Sequence, residues 1–257
     1  MASVEPGNST RSRGKAHRSN VVVRRDGLQQ RIARRYTTVT QHITIGGLRL
    51  PFTRIADPDE MTRHMPDPSD STDAPQWQPY WAAHWDGSWA VSHVLAGESL
   101  VGCKVLDLGC GLGLTGAVAA AGGARVWMVD AAQPALLFAR LNTWPWRDRV
   151  HVRRLDWRTD RLTPRRFDLI VGADIIYDTD DWPYLERFWR AHLSDGGHLL
   201  LGESGRRTGQ MFPDWLSDRG WWVEATTIQV AQCDRPQRII RARRGAGGLP
   251  VVSENLG

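Results

Sequence analysis

A glycine-rich stretch in the middle of the chain has the composition of a loop that holds a nucleotide. The residues from Val105 to Gly116 read VLDLGCGLGLTG, an apolar run followed by closely spaced glycines. Glycines let a backbone approach a ligand closely, and the helix that follows such a loop points free N–H groups at the same ligand. From Gly111 onward the letters match G-x-G-x-x-G, the spacing of dinucleotide-binding loops. The first candidate chemistry is therefore the binding of a cofactor that contains a nucleoside.

An acidic residue follows at the place where such a cofactor presents its ribose. Asp130 stands 19 residues after Gly111, at the end of the next apolar run. A carboxylate in that place can accept hydrogen bonds from both ribose hydroxyls. NAD and S-adenosylmethionine (SAM) both carry this ribose, so Asp130 is compatible with either. A plain helix N-cap is the alternative for Asp130, since Pro134 follows in the first turn of the next predicted helix.

Two further features favour SAM over a dinucleotide. Asp107 lies inside an apolar run, two residues before the first glycine, where a carboxylate is costly unless a ligand compensates it. SAM brings an ammonium and a sulfonium, whereas a dinucleotide brings a pyrophosphate that a carboxylate repels. Asp156 can accept the adenine amino group and Trp157 can cover the ring, although core packing is the alternative for Trp157.

These residues follow short apolar runs that alternate with helical patterns. The predicted strands are Lys104–Leu108, Arg125–Val129, His151–Leu155, Phe167–Gly172, Gly197–Gly202, and two closing strands over 221–230 and 237–243. The predicted helices run from Pro79 to Leu95, over 114–123 and 134–142, from Pro183 to His192, and over 212–220. This alternation predicts a doubly wound α/β sheet, in which ligands bind beyond the carboxyl ends of the strands.

A basic tail precedes the part of the chain that is expected to fold. Residues 1–35 hold nine Lys and Arg against two acidic residues, a local net charge of +7 in a chain whose total is +5. Such a segment is typically disordered and solvated. No aromatic residue is interleaved with its charges, so nucleic-acid binding is not expected.

The remainder is expected to contain a β-hairpin, one large domain and a flexible end. Alternating apolar residues flank Gly46-Gly47 and predict a hairpin, followed by a linker rich in Pro and Asp. The four predicted parts are the tail over 1–35, the hairpin and linker over 36–75, the α/β domain over 76–245 and a flexible tail over 246–257.

Composition excludes several classes of protein. No apolar run approaches the roughly 20 residues that cross a membrane, and the N-terminus lacks the apolar region of a secretory signal. Three cysteines cannot all pair within the chain, which indicates reduced thiols and a cytoplasmic location. His84 and His93 have no Cys or second His at the spacing of metal ligands, so no metal site is predicted.

Several motifs together resemble one class of enzyme. VLDLGCGLGLTG, VWMVDA, LDW and FDLIVGADIIYD resemble the class I SAM-dependent methyltransferases. The segment PYWAAHWDGSWAVSHVL, with GADIIYD, is similar to the seven-β-strand protein-lysine methyltransferases (family 16). Within them it looks most like the electron-transfer-flavoprotein β-subunit lysine methyltransferases and their bacterial relatives. The resemblance covers about residues 76–240. It implies the strand order 3-2-1-4-5-7-6 with the last strand antiparallel.

The resemblance also implies roles at matching positions. Asp174 would orient the incoming amine and Tyr177 would wall the site, as the D-x-x-Y motif does; loop capping and core packing are the alternatives for these two residues. Relatives carry Gly-Asp-Pro-Gly-Arg after the fifth strand, whereas this chain reads GESGR, with Glu203 in place of the acid. The cofactor would be SAM, leaving as S-adenosylhomocysteine, and the residues implied to hold it are Trp85, Asp107, Gly109, Cys110, Gly111, Asp130, Ala131, Asp156, Trp157 and Ala173.

The leading functional hypothesis is transfer of a methyl group from SAM to an amine, most directly a protein lysine. One alternative is the same chemistry on a small-molecule amine. Alternatives of another class are an NAD-binding oxidoreductase, a non-catalytic nucleotide-binding module, or a scaffold in which the basic tail carries the function.

Overall fold

The computed structural model describes residues 25–59, 79–83, 85–162 and 165–245. In chain order its main elements are β1 (Thr38–Ile45), β2 (Leu48–Ile55), a 3-10 turn (Pro79–Ala82), α1 (Asp86–Ala96), β3 (Lys104–Leu108), α2 (Leu114–Ala121), β4 (Arg125–Asp130), α3 (Ala135–Asn142), β5 (Val150–Arg154), β6 (Phe167–Ala173), α4 (Trp182–His192), β7 (Leu193–Glu203), α5 (Arg207–Ser217), β8 (Trp221–Ile228) and β9 (Gln237–Arg244). Within those ranges, no helix is both long and apolar enough to traverse a lipid bilayer.

Seven strands form one sheet in the order β5-β4-β3-β6-β7-β9-β8. Counted from β3, this is the predicted order 3-2-1-4-5-7-6, and β9 runs antiparallel to both of its neighbours as predicted. Buried residues of β3 alternate between two apolar clusters, with Val105 in one and Leu106 and Leu108 in the other. A sheet covered on both faces produces this alternation. The strand order reverses between β3 and β6, so the crevice for a ligand opens at their carboxyl ends.

The predicted hairpin is confirmed and packs on the α/β domain. β1 pairs with β2 around Gly46-Gly47, whose φ angles of 52° and 80° suit a tight two-residue turn. The Asn142 amide of α3 accepts from Thr53 N at 2.7 Å. Its Nδ2 donates to the carbonyls of Thr53 and Leu112, both at 2.9 Å. One buried side chain therefore fixes the hairpin to the loop that precedes α2.

Replacing Asn142 by Ala is expected to lower the free energy of unfolding by about 2–3 kcal/mol, because a buried N–H and two carbonyls lose their partner. Urea unfolding of the native protein and the variant measures the difference. Gln41→Ala, on an exposed position of β1, is the control and is expected to change stability by less than about 0.5 kcal/mol. Equal effects of the two substitutions would show that the amide does not hold the hairpin.

The prediction of disorder over 1–35 is wrong for the end of that range. Residues 25–33 are helical, and Ile32 is buried in the core with Leu28 and Tyr36 packed against the same cluster. Leu28 and Ile32 lie one turn apart and give this helix an apolar face. The many arginines of the segment make this pattern hard to recognise in the sequence. Residues 1–24, 60–78 and 246–257, which include most of the predicted basic tail, most of the predicted linker and the predicted flexible end, lie outside the described residues.

The continuous helix predicted from Pro79 to Leu95 is also wrong. A 3-10 turn ends at Ala82, and α1 begins only at Asp86, with Trp85 extended at φ −86° and ψ 137°. Trp85 Nε1 donates to the carbonyl of Tyr80 at 2.7 Å, and this bond folds the indole back across the break. The tryptophan spacing thus reflects two elements rather than one helix.

The helix predicted over 212–220 begins earlier, at Arg207, and contains Pro213 within it. Its start is stabilised by the Glu203 carboxylate, which accepts the backbone N–H of Arg206. The predicted start placed Pro213 in the first turn, where proline is usual, whereas the helix begins six residues before it.

Candidate active site at the carboxyl ends of the strands

The glycine loop between β3 and α2 is held in a left-handed conformation. Gly109, Gly111 and Gly113 have φ angles of 70°, 49° and 89°. The N–H groups of Gly109 and Cys110 both donate to the carbonyl of Val129, at 2.9 and 3.0 Å, and so tie the loop to β4. A Cβ on Gly113 would lie 2.9 Å from Ala139 Cα, so both the backbone angle and the space require glycine there.

A cavity of about 40 Å³ lies against this loop. Five residues predicted to hold the cofactor line it, namely Trp85, Gly109, Cys110, Gly111 and Ala173. Phe52 of β2 lines it as well, although its place in the hairpin pattern marks it only as a core residue. Ala83 and Trp85 cover the loop from the segment before α1, so a nucleoside that binds here has to displace part of that cover. Burial raises the pKa of the Cys110 thiol well above its usual range, which leaves it a protonated lining group.

Asp107 is a buried carboxyl group with one acceptor oxygen that is unused within the described residues. Its side chain is only 1% exposed, and Oδ2 accepts a hydrogen bond from Thr115 Oγ1 at 2.6 Å. Oδ1 is buried and has no hydrogen-bond partner among the described residues. Burial raises the pKa of Asp107 to about 7, against the bonds from Thr115 and the Gly116 N–H, which lower it. A cationic ligand group beside the loop would satisfy this carboxylate.

Asp130 connects the end of β4 to the glycine loop. Its Oδ2 accepts from Gly111 N at 2.8 Å, and its Oδ1 accepts from Ala132 N at 2.8 Å. Burial raises the pKa of the Asp130 carboxyl. The helix N-cap alternative is wrong, because Pro134 is the N-cap of α3. Each oxygen keeps a second acceptor site, so the carboxylate could still receive ribose hydroxyls.

The other predicted adenine and ribose contacts lie beside the loop but outside the cavity lining. A Cβ on Gly109 would be 3.5 Å from Trp157 Cζ3, and the Trp157 Nε1 is buried without a partner in the described part of the chain. Asp156 Oδ1 accepts from Arg158 N at 2.9 Å, and the carbonyl of Ala131 accepts from Arg154 Nε at 3.1 Å. Trp157 also packs against a core cluster, so core packing does not prevent it from covering an adenine ring as well.

Asp174 joins three parts of the fold at the end of β6. It adopts φ 53°, the left-handed region, as a non-glycine residue. Oδ2 accepts from Gly87 N of α1 at 2.9 Å, and Oδ1 accepts from Ser204 Oγ, after β7, at 2.7 Å. Arg206 Nη1 lies 3.7 Å from the same Oδ1. Burial raises the pKa of the Asp174 carboxyl, whereas the bond from Ser204 and the charge of Arg206 lower it.

Three neighbouring rings form what we term the aromatic mouth, consisting of Tyr80, Trp85 and Tyr177. The Tyr80 ring centroid lies 5.9 Å from that of Trp85 and 6.1 Å from that of Tyr177. Tyr177 is 41% exposed and borders solvent, so the alternative that it fills the core is wrong. Tyr80 is not among the residues predicted to line the site.

Arg206 places a cation in this mouth. Its guanidinium carbon lies 5.0 Å from the Trp85 ring centroid and 5.7 Å from that of Tyr177. The neighbouring Glu203 is engaged elsewhere, because it accepts the Arg206 N–H and pairs with Arg238 Nη1 at 2.6 Å. In the GESGR stretch the acid therefore binds the Arg206 N–H and Arg238, and the side chain of the arginine faces the site. In the described ranges, no group of three or more His, Cys, Asp or Glu is placed to hold a metal ion.

The sequence matches the model of a known protein family. A family model described as lysine methyltransferase matches residues 81–211. Protein N-lysine methyltransferase METTL21A of Danio rerio is 38% identical over 109 residues, which are 40% of this chain and 49% of that protein. Electron transfer flavoprotein beta subunit lysine methyltransferase of Xenopus laevis is 34% identical over 144 residues, 51% of this chain and 55% of that protein. The chain spans about half the length of the curated relatives it matches.

Solved structures show the same fold. The glycopeptide N-methyltransferase MtfA complexed with SAM superposes with a TM-score of 0.55 at 16% identity, covering 63% of this chain and 95% of that one. At this identity the likeness concerns the arrangement of strands and helices.

Proposed function

The chain belongs to the lysine methyltransferase family whose model covers residues 81–211, and from this premise we propose that it transfers a methyl group from SAM to a protein lysine side chain. The observation that carries the proposal is the buried Asp107 carboxylate, which has one unpartnered oxygen beside the glycine loop. A carboxylate in this environment favours a cation, which SAM carries and a dinucleotide pyrophosphate does not. The relatives named above, which act on protein lysines, support the substrate class.

The residues around the loop suit SAM as the ligand. Asp107 would face its cationic amino-acid part, and the backbone of Gly109, Cys110 and Gly111 would lie along it. Asp130 and Ala131 would hold the ribose, with Asp156 and Trp157 at the adenine. Trp85 and Ala173 would close the remaining sides. When bound, SAM supplies a methyl group on a sulfonium sulfur, which an amine can displace in line.

The protein must bring a neutral amine to this place. A lysine amine has an unperturbed pKa of about 10.4, so it arrives protonated and cannot act as a nucleophile. Removing the amine from water behind the aromatic mouth lowers that pKa. The positive charge of the SAM sulfonium lowers it further. The Asp174 carboxylate would attract the ammonium, whose proton passes to solvent water, and would then accept a hydrogen bond from the neutral amine. Proximity and alignment supply most of the remaining rate enhancement.

The aromatic mouth would also bind methylated lysine, the product of each round of methylation. Ring faces attract methylated ammonium groups as well as unmethylated ones. Tyr177 and Trp85 would therefore bind a monomethyl-lysine that returns for further transfer.

Radiolabelled SAM tests the proposal. The purified protein is incubated with methyl-labelled SAM and a native lysate of the source organism, and the protein fraction is hydrolysed to amino acids. We expect label in methyl-lysine, together with thermal protection of the purified protein by SAM and none by NAD. Label only in the small-molecule fraction would instead support a small-molecule amine. Protection by NAD alone would contradict the proposal.

A further inference from the structure

We propose that the Arg206 guanidinium occupies the subsite for the substrate ammonium, so that Arg206 is an internal competitor that the incoming cation displaces. The identification of that cation as a lysine side chain rests on the proposed function. The existence of a cation subsite occupied by the protein's own arginine rests on the geometry alone.

The surroundings of the guanidinium are those that an alkylammonium requires. The Trp85 and Tyr177 ring centroids lie 5.0 and 5.7 Å from its carbon, within the roughly 6 Å over which a ring face attracts a cation. On the other side is the Asp174 carboxylate, whose side chain is only 2% exposed. Aromatic faces outside and a buried anion inside form a complete cation site.

The guanidinium is held loosely enough to leave this site. Its side chain is 34% exposed, and Nη1 lies 3.7 Å from Asp174 Oδ1, beyond hydrogen-bond distance. The same oxygen already accepts from Ser204 Oγ at 2.7 Å. By contrast, the backbone of Arg206 is anchored, because its N–H donates to Glu203. The side chain can therefore swing into solvent without moving the start of α5.

If Arg206 served to form a structural ion pair, it would be expected to bond closely to an acidic side chain. Glu203 is the nearest acid in sequence, but Arg238 already neutralises it at 2.6 Å. Asp174 is the buried anion that Arg206 faces, and its Oδ2 is taken by Gly87 N. Arg206 thus contributes charge to the site without completing a hydrogen-bond network, as expected of a removable occupant.

Binding of a simple cation tests the inference without any methyl transfer. Tetramethylammonium is titrated into the full-length protein in the absence of SAM, and its affinity is measured by ligand-observed NMR. Arg206→Gln is expected to bind it about tenfold more tightly than the native protein, because the competitor is removed while both rings and Asp174 remain. Arg207→Gln removes the same charge from the next, exposed residue and is expected to bind like the native protein.

Two further variants keep the test decisive. Arg206→Met retains the aliphatic stem without the charge and is expected to reproduce the gain even where Arg206→Gln folds poorly. Adding Trp85→Ala to Arg206→Gln is expected to abolish the gain. Affinities within twofold of native in both folded Arg206 variants, or weaker binding, would overturn the inference and leave Arg206 a structural residue.

Kinetics then connect the subsite to the substrate. If lysine is methylated, Arg206→Gln is expected to lower KM for the protein substrate about tenfold, whereas KM is unchanged in Arg207→Gln. An unchanged KM in Arg206→Gln would contradict the inference. A protein that methylates nothing in any variant but shows the gain in tetramethylammonium affinity would refute the proposed function and leave the cation subsite standing.

Discussion

Replacing Asp107 by Asn is expected to lower the affinity for SAM about 100-fold, the scale on which a buried charge pair loses one partner. The ligand-free protein is expected to remain at least as stable as the native one. Asp107 is buried with one oxygen unpartnered, so its ionised form destabilises the fold unless a cation is present. The amide keeps an oxygen for the Thr115 hydroxyl, which now donates at 2.6 Å. Affinity and stability should therefore move in different directions.

Calorimetric titration with SAM and urea unfolding without ligand measure the two effects. Asp195→Asn, at a fully exposed position paired with Arg244, is the control and should alter neither. An Asp107→Asn variant with native affinity for SAM would remove the observation on which the proposed function depends.

The same variant should abolish a pH dependence. The pKa of Asp107 is about 7 in the folded protein and 3.8 in the absence of structure, so the folded state binds this proton more tightly. Between these values the folded state carries more protons than the unfolded state, and the stability contributed by Asp107 falls as pH rises. Because SAM favours the ionised carboxylate, its affinity should rise from pH 6 to 8 with release of a proton. In Asp107→Asn both trends should vanish.

Replacing Asp174 by Asn is expected to lower kcat about 100-fold, in the range typical of a lost proton-handling group, while the affinity for SAM stays within about threefold of native. The amide no longer attracts an ammonium into the mouth or holds the amine as a carboxylate does. It can keep its oxygen toward Gly87 N and donate to the Ser204 hydroxyl, but the Ser204 N–H loses its acceptor, so urea unfolding of the variant is measured beside its turnover.

Turnover at saturating SAM and substrate, with separate calorimetric titration of SAM, distinguishes the two roles for Asp174. Asp178→Asn changes a side chain that is 42% exposed nearby and should leave both quantities unchanged. Reduced SAM affinity at native kcat would assign Asp174 to the cofactor instead of the substrate.

Local patterns were sufficient for the sheet and the glycine loop. The central strands contain short apolar runs, and the loop glycines adopt positive φ angles that favour glycine, so both can be recognised from the sequence. The complete strand order came from the resemblance, since seven apolar runs alone permit several arrangements.

Long-range contacts explain what the sequence did not reveal. The break at Trp85 depends on an indole bond to Tyr80, and the burial of Ile32 depends on a surface supplied by distant helices. Arg206 meets Asp174 only because β6 and β7 are neighbours in the sheet. Phe52 reaches the cavity because the hairpin packs on the α/β domain, where Asn142 binds Thr53. None of these pairings has a signature in spacing or composition.

The position of Trp85 has a thermodynamic consequence. The same indole lines the cavity beside the glycine loop and forms one wall of the aromatic mouth. A ligand that displaces this ring on one side alters the binding free energy on the other, so occupancy of the two sites is linked. Linkage is reciprocal, and whatever factor the first ligand imposes on the second is returned by the second to the first. A single side chain thereby couples the affinities of the two sites.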